Sequence, residues 1–166
     1  DNKAGNSRYG FHFMFSRDIE ATGNLLTGNI TGLMIMDSRN VTISGNTVTD
    51  QYNVRGYGVI VYDSSSLSIK DNEIRRNATG LSLEKTTEAN VTDNNISGNQ
   101  TGLEFIGVNE NNLFTKNNFI GNVLVNYTDD DNYGGAIYIN GERTVISTST
   151  FENHSAYTGG SVYING

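Results

Sequence analysis

The sequence predicts an all-β fold, a right-handed parallel β-helix (solenoid) of about seven coils with roughly 22 residues per coil. Glycines recur at a nearly constant spacing, apolar residues alternate after each glycine, and asparagines follow at fixed offsets. Such self-similarity is the signature of stacked repeats, in which no repeat can bury its apolar face alone.

The glycine spacing defines the repeat. The anchor glycines are Gly10, Gly32, Gly58, Gly80 and Gly102. Three of the four intervals between them are equal, and the second is longer because it contains an insertion around positions 51–54. Each anchor is therefore expected to occupy the same place in its coil.

Asparagines mark two further positions of each coil. One set follows the anchors at a nearly constant offset: Asn24, Asn46, Asn72, Asn94 and Asn117. A second set closes the coils, with Asp50 taking its place in the second coil: Asn29, Asn77, Asn99 and Asn122. Asn and Asp tolerate left-handed backbone conformations, and stacked amides form ladders, so both sets are predicted to lie at corners of the coil.

The strands are predicted from the apolar residues. The first and third residues after every anchor are apolar, and this period of two indicates one buried face of a strand. These residues are Phe11, Leu33, Val59, Leu81 and Leu103, then Phe13, Ile35, Val61, Leu83 and Phe105. Two more apolar columns predict about three strands per coil: Ile19, Val41, Leu67 and Ala89, and Leu26, Val48, Ile74, Ile96 and Phe119.

The repeat changes near the end of the chain. The segment Gly-Gly-Ala-Ile-Tyr-Ile-Asn-Gly at 134–141 returns in a related form at 159–166, at a longer interval than in the preceding coils. We therefore predict one β-helix domain over 1–166, made of similar coils over 1–128 and two further coils over 129–166. Because both ends lie within the repeat pattern, the chain is expected to be part of a longer protein.

Composition excludes several classes of protein. The chain has no Cys, which excludes disulfide frameworks, and a net charge of −7 without a basic stripe, which argues against a nucleic-acid partner. No apolar stretch approaches the length of a membrane span.

Outward positions on two adjacent coils carry a candidate metal site. They hold all three Met of the chain and one of its two His: His12, Met14, Met34 and Met36. Thioethers favour Cu(I) and imidazole binds copper generally, so we predict copper as the cofactor. The alternative is an exposed apolar patch that a partner covers.

The neighbouring outward residues form a candidate surface for a partner or a glycan. They are Ile60, Tyr62, Asp37, Asp63, Glu84 and Glu104. Asp37 and Asp63 stack at a corner, and a carbohydrate-active enzyme would need such carboxylates paired at a suitable separation. No second convergent set is evident, and we predict no catalytic residue.

The segments 8–16 and 31–41, with Arg-Tyr-Gly-Phe-His-Phe-Met beside a Met-rich coil, resemble NosD-type proteins over about residues 1–128. The resemblance implies an exported, periplasmic, non-enzymatic β-helix that helps to assemble the copper centres of nitrous-oxide reductase. It implies as partners a membrane transporter and the copper enzyme.

The last part of the chain instead resembles the repeats of adhesin-like cell-surface proteins, on the segments Gly-Gly-Ala-Ile-Tyr and Ser-Thr-Phe-Glu-Asn. The alternative function is therefore a structural or adhesive surface repeat that binds glycans. A carbohydrate-active enzyme is the third hypothesis.

Overall fold

The computed structural model describes residues 1–51, 56–122, 137–140, 144–153 and 162–165. The chain forms three parallel sheets, and we number the strands in chain order. Sheet A contains β1 (Lys3–Gly5), β4 (Leu25–Thr27), β7 (Thr47–Thr49), β10 (Glu73–Arg75), β13 (Asn95–Ser97), β16 (Asn118–Ile120) and β19 (Thr150–Glu152). Sheet B contains β2 (Tyr9–Met14), β5 (Thr31–Met36), β8 (Tyr57–Tyr62), β11 (Thr79–Glu84), β14 (Thr101–Ile106), β17 (Ile137–Asn140) and β20 (Val162–Asn165). Sheet C contains β3 (Arg17–Thr22), β6 (Arg39–Ser44), β9 (Ser65–Lys70), β12 (Thr87–Thr92), β15 (Asn112–Thr115) and β18 (Thr144–Ser147).

This arrangement is a parallel β-solenoid, so the predicted fold class is confirmed. Each turn contributes one strand to each sheet, and about five turns of about 22 residues are formed. Strands β17 to β20 extend the same sheets, but the residues that connect them lie outside the described part of the chain. The prediction of about seven coils included these last strands.

The core consists of columns of inward side chains that repeat from turn to turn. From the second turn onward the predicted columns are buried, and Leu33, Val59, Leu81 and Leu103 are completely inaccessible to solvent. Phe11 and Phe13 are only half-buried, because β2 has a neighbouring strand on one side alone. One core column of sheet C was not predicted from the sequence: Ala21, Ile43, Ile69, Val91 and Phe114.

The first set of asparagines forms a buried amide ladder, as predicted. Asn46 illustrates the pattern, since its Oδ1 accepts from the backbone N–H and from Nδ2 of Asn24, both at 2.9 Å. Its own Nδ2 donates to the carbonyl of Ala21 at 2.8 Å and to Oδ1 of Asn72 at 3.0 Å. The side chains thus satisfy backbone groups that burial would otherwise leave without partners.

The second ladder corrects one prediction. Gln51, and not Asp50, occupies the ladder position in the second turn, where its Oε1 accepts from the Asn29 N–H at 2.8 Å. Asp50 has a positive φ of 59° and projects outward, where Arg76 binds its two carboxylate oxygens at 2.6 Å each. This ion pair lowers the pKa of Asp50 below its ordinary value.

The left-handed corners lie one residue before the first ladder. Positive φ values occur at Gly23, Gly45, Asp71, Asp93 and Lys116. The ladder asparagines themselves do not have positive φ, so they lie at the corners without adopting the left-handed conformation that their residue type tolerates. The left-handed residue turns the chain, and the following asparagine is then directed into the core.

The anchor glycines are required by space rather than by backbone conformation. A Cβ atom on Gly80 would lie 2.7 Å from the Gly102 carbonyl oxygen and 2.9 Å from both Asn99 Nδ2 and Ile96 Cγ2. These contacts are too short, which explains why glycine recurs at this position of the turn.

The final repeat keeps its predicted register where the structure describes it. Ile137 pairs with Val162, as the offset between the two related segments requires, and Ile137 also pairs with Leu103 of β14. The Gly-Gly pairs at 134–135 and 159–160 fall outside the described residues. Among the described residues, no helix is long and apolar enough to cross a membrane.

Candidate metal-binding face

The four predicted metal ligands lie on the outer face of sheet B. In the parallel pair of β2 and β5, His12 is the partner of Met34 and Met14 is the partner of Met36. Neighbouring strands lie about 4.8 Å apart, and alternate residues along a strand about 6.6 to 7 Å apart. The structure therefore brings these four residues into one compact group, which we call the His/Met quartet.

The quartet has one open side and one sheltered side. His12 is exposed and Met14 retains 47% of its accessible surface, whereas Met34 and Met36 are half-buried. The Met34 and Met36 positions are flanked by strands on both sides, because β5 lies between β2 and β8. A metal ion held here would remain accessible from the side of β2.

An aromatic ring orders the surroundings of His12. The Tyr9 ring lies 4.7 Å from the imidazole, centroid to centroid, at an angle of 40°. The Arg8 guanidinium lies 5.2 Å from the centroid of the same Tyr9 ring. The position of the imidazole is therefore restricted by a ring contact while it remains exposed to solvent.

The donor set fits a soft monovalent metal. Three thioethers and one imidazole are neutral ligands of the kind that Cu(I) accepts. A different site, built from at least three His, Cys, Asp or Glu side chains, is not formed among the described residues. The candidate metal ligands of this face are the three thioethers and the imidazole of the quartet.

The predicted partner surface continues from the quartet along sheet B. Ile60 is the partner of Met34 and Tyr62 the partner of Met36, and both are half-buried. Lys85 lies over Tyr62, with Nζ 5.3 Å from the ring centroid and donating to Oη at 3.4 Å. This hydrogen bond raises the pKa of Lys85 above its ordinary value.

The acidic members of the predicted surface differ in their environment. Asp37 and Asp63 are exposed at a corner, each with a φ of 45°. Glu104 is half-buried, and burial raises its pKa, although the hydroxyl of the fully buried Ser82 donates to its carboxylate at 3.0 Å and opposes the shift. The charge of the nearby Glu84 raises the pKa of Glu104 further.

Basic residues beside this corner were not predicted to belong to a site. Arg17 and Arg39 begin β3 and β6, are Cα partners, and line a cleft with Asp37 and Asp63. A signal was present, since both arginines follow their anchor glycines at the same offset. This signal was not recognised because the repeat was identified from its apolar residues, and exposed arginines are not part of that pattern.

A comparison with protein families gives an independent result. The family model described as "Periplasmic copper-binding protein (NosD)" matches residues 1–165. The match extends past residue 128, where the resemblance based on individual segments ended, and includes the final repeats. No curated protein matches the chain.

Proposed function

The chain belongs to the NosD family of periplasmic copper-binding proteins, and from this premise we propose that it assists the assembly of copper centres in nitrous-oxide reductase. In this proposal it is a non-catalytic periplasmic β-helix that carries copper as cargo. Its partners are a membrane transporter and the copper enzyme.

The observation that supports this proposal is the His/Met quartet. His12, Met14, Met34 and Met36 are adjacent by strand register, and they are the residues that would hold Cu(I). Since all four donors are neutral, binding leaves the ion with its single positive charge. The exposed ligands His12 and Met14 can then be exchanged for those of a recipient, while Met34 and Met36 retain the ion.

The proposal is tested by an anaerobic competition titration with a Cu(I) chelator. The parent protein is compared with a variant in which Met14, Met34 and Met36 are all replaced by Leu, which removes sulfur but preserves apolar volume. We expect the affinity of the variant for Cu(I) to fall by several orders of magnitude while the circular dichroism spectrum stays unchanged.

The matched control is Ile60→Ala, on the same outward column but without a donor atom. Its Cu(I) affinity should equal that of the parent. Equal affinities for the parent and the triple Leu variant would exclude the site, and the face would then be a docking or adhesive surface.

Replacement of the imidazole gives a second test of the same site. A His12→Ala variant lacks one of the four donors, so it should bind Cu(I) more weakly than the parent. An affinity equal to that of the parent would contradict the assignment of His12.

A further inference from the structure

The corner between sheets B and C contains an open cleft of about 270 Å³. It is lined by six residues with polar or charged side chains: Arg17, Arg39, Asp37, Asp63, Ser38 and Ser65. The cleft lies immediately beside the outward column of Met36 and Tyr62, because Asp37 and Asp63 directly follow those two residues in the chain.

The charged residues of the cleft are arranged in two rows of like charge. Arg17 and Arg39 are Cα partners in adjacent parallel strands. Asp37 and Asp63 follow the paired residues Met36 and Tyr62, so they occupy the same position in successive turns. Like charges directly opposite one another on neighbouring strands destabilise a sheet.

These charges do not neutralise one another directly. Among the described residues, none of the four side chains has an ion-pair partner within 4.0 Å or a side-chain hydrogen bond, although Lys85 attracts Asp63 over a longer distance. Asp50 and Arg76, at another corner, show that adjacent turns can pair such groups, with two contacts of 2.6 Å. Two rows of opposite sign therefore face an open cleft without closing on each other.

We propose that this cleft binds a small zwitterion, a molecule that carries a carboxylate and an ammonium group. Guanidinium groups donate in a planar fork that matches a carboxylate, and the two arginines offer adjacent forks. The two aspartates accept from the ammonium group. The cleft is large enough to hold a molecule of the size of a free amino acid.

The test is a titration of the whole chain with zwitterions of increasing length: glycine, β-alanine and 4-aminobutyrate. Binding is monitored by changes in NMR chemical shifts. Acetate and methylammonium serve as probes with a single charge. The zwitterion whose length matches the distance between the two rows makes charge-assisted hydrogen bonds at both ends, so it should bind about tenfold more tightly than either probe.

Two double variants test the contribution of each row of charge to binding separately. Arg17→Gln combined with Arg39→Gln should weaken binding of that zwitterion about tenfold, and so should Asp37→Asn combined with Asp63→Asn. The matched control, Asp50→Asn with Arg76→Gln, removes the ion pair at the other corner and should leave binding unchanged.

The proposal is overturned if no zwitterion binds more tightly than acetate, or if the variants with intact circular dichroism bind as well as the parent. It is independent of the copper proposal. The double arginine variant should retain the Cu(I) affinity of the parent, whereas the triple Leu variant should retain the affinity for the zwitterion.

Discussion

Asn72 shows how a single polar side chain stabilises this stack. It is buried, its Oδ1 accepts from the Asn46 N–H at 2.9 Å, and its Nδ2 donates to the Ile43 carbonyl at 3.0 Å. An Asn72→Ala substitution leaves both backbone groups buried without these partners. At about 1 to 3 kcal/mol for each group, we expect the free energy of unfolding to fall by about 3 kcal/mol.

Chemical denaturation would measure this change, with Asn90→Ala as the control. Asn90 lies on an outward, exposed position of β12, so its replacement should alter stability by about 0.5 kcal/mol or less. If the two variants had equal stability, the ladder would contribute no more than an exposed asparagine.

Glu104 gives the protein a predicted pH dependence of stability. Burial raises its pKa in the folded state above the ordinary value of 4.5, so the folded protein favours the protonated form. As the pH rises from 4.5 through the folded-state pKa, the folded state is penalised relative to the unfolded state. Glu104→Gln should therefore raise the melting temperature at pH 7 and have no such effect below about pH 4.5.

Thermal melts of the parent and of the Glu104→Gln variant between pH 4 and pH 8 test this predicted pH dependence, and Glu20→Gln is the control. Glu20 is exposed in β3, and its replacement should change the melting temperature only slightly. A Glu104→Gln variant that was less stable than the parent at pH 7 would contradict the predicted stabilisation.

Prediction at the residue scale succeeded for the asparagine ladder and failed in detail at its corners. The spacing identified the right columns, but Asp50 and Gln51 are neighbours of similar polarity, and the pattern did not distinguish the ladder residue from the corner residue. Which of the two residues joins the ladder depends on which side chain turns inward. The longer side chain of Gln51 can also place its amide in the ladder position that Asn occupies in the other turns.

At the scale of the strand, Leu81 tests the inward register. It is fully buried in β11, between β8 and β14. We expect Leu81→Ala to lower the free energy of unfolding by about 2 to 5 kcal/mol, because the neighbouring turns cannot collapse into the space. Leu113→Ala is the control, since Leu113 is 42% exposed on the outer face of β15. Equal losses for the two variants would place Leu81 outside the core.

The strands of sheet B were easier to predict than those of sheet C. In sheet B each of the first five strands contains an anchor glycine, and a strict alternation of apolar residues after it marks the inward face. In sheet C only the column of Ile19 was recognised, and the column that begins with Ala21 was missed. Ala21 is small and no recurring glycine marks these strands, so the alternation is less evident in the sequence.

At the scale of the whole molecule, the stack explains why part of the site was predictable. The repeat fixes which residues become partners, and the regular spacing of the turns alone places Met14 beside Met36. The spacing does not determine how side chains cross a corner. The unpaired charges around the Arg17 and Arg39 cleft, and the full burial of the outward Ser82, therefore became evident only in three dimensions.

The stack also predicts how a local defect spreads. Each strand of a sheet pairs only with the strands of the preceding and the following turn, so stability is a sum of turn and interface contributions. Leu81→Ala weakens the interfaces of β11 with β8 and β14 directly, and it affects β2 only through two intervening interfaces. Hydrogen exchange followed by mass spectrometry should therefore show faster exchange in β8 and β14 than in β2, relative to the parent protein. A uniform acceleration along the chain would show that the solenoid instead opens as a single cooperative unit.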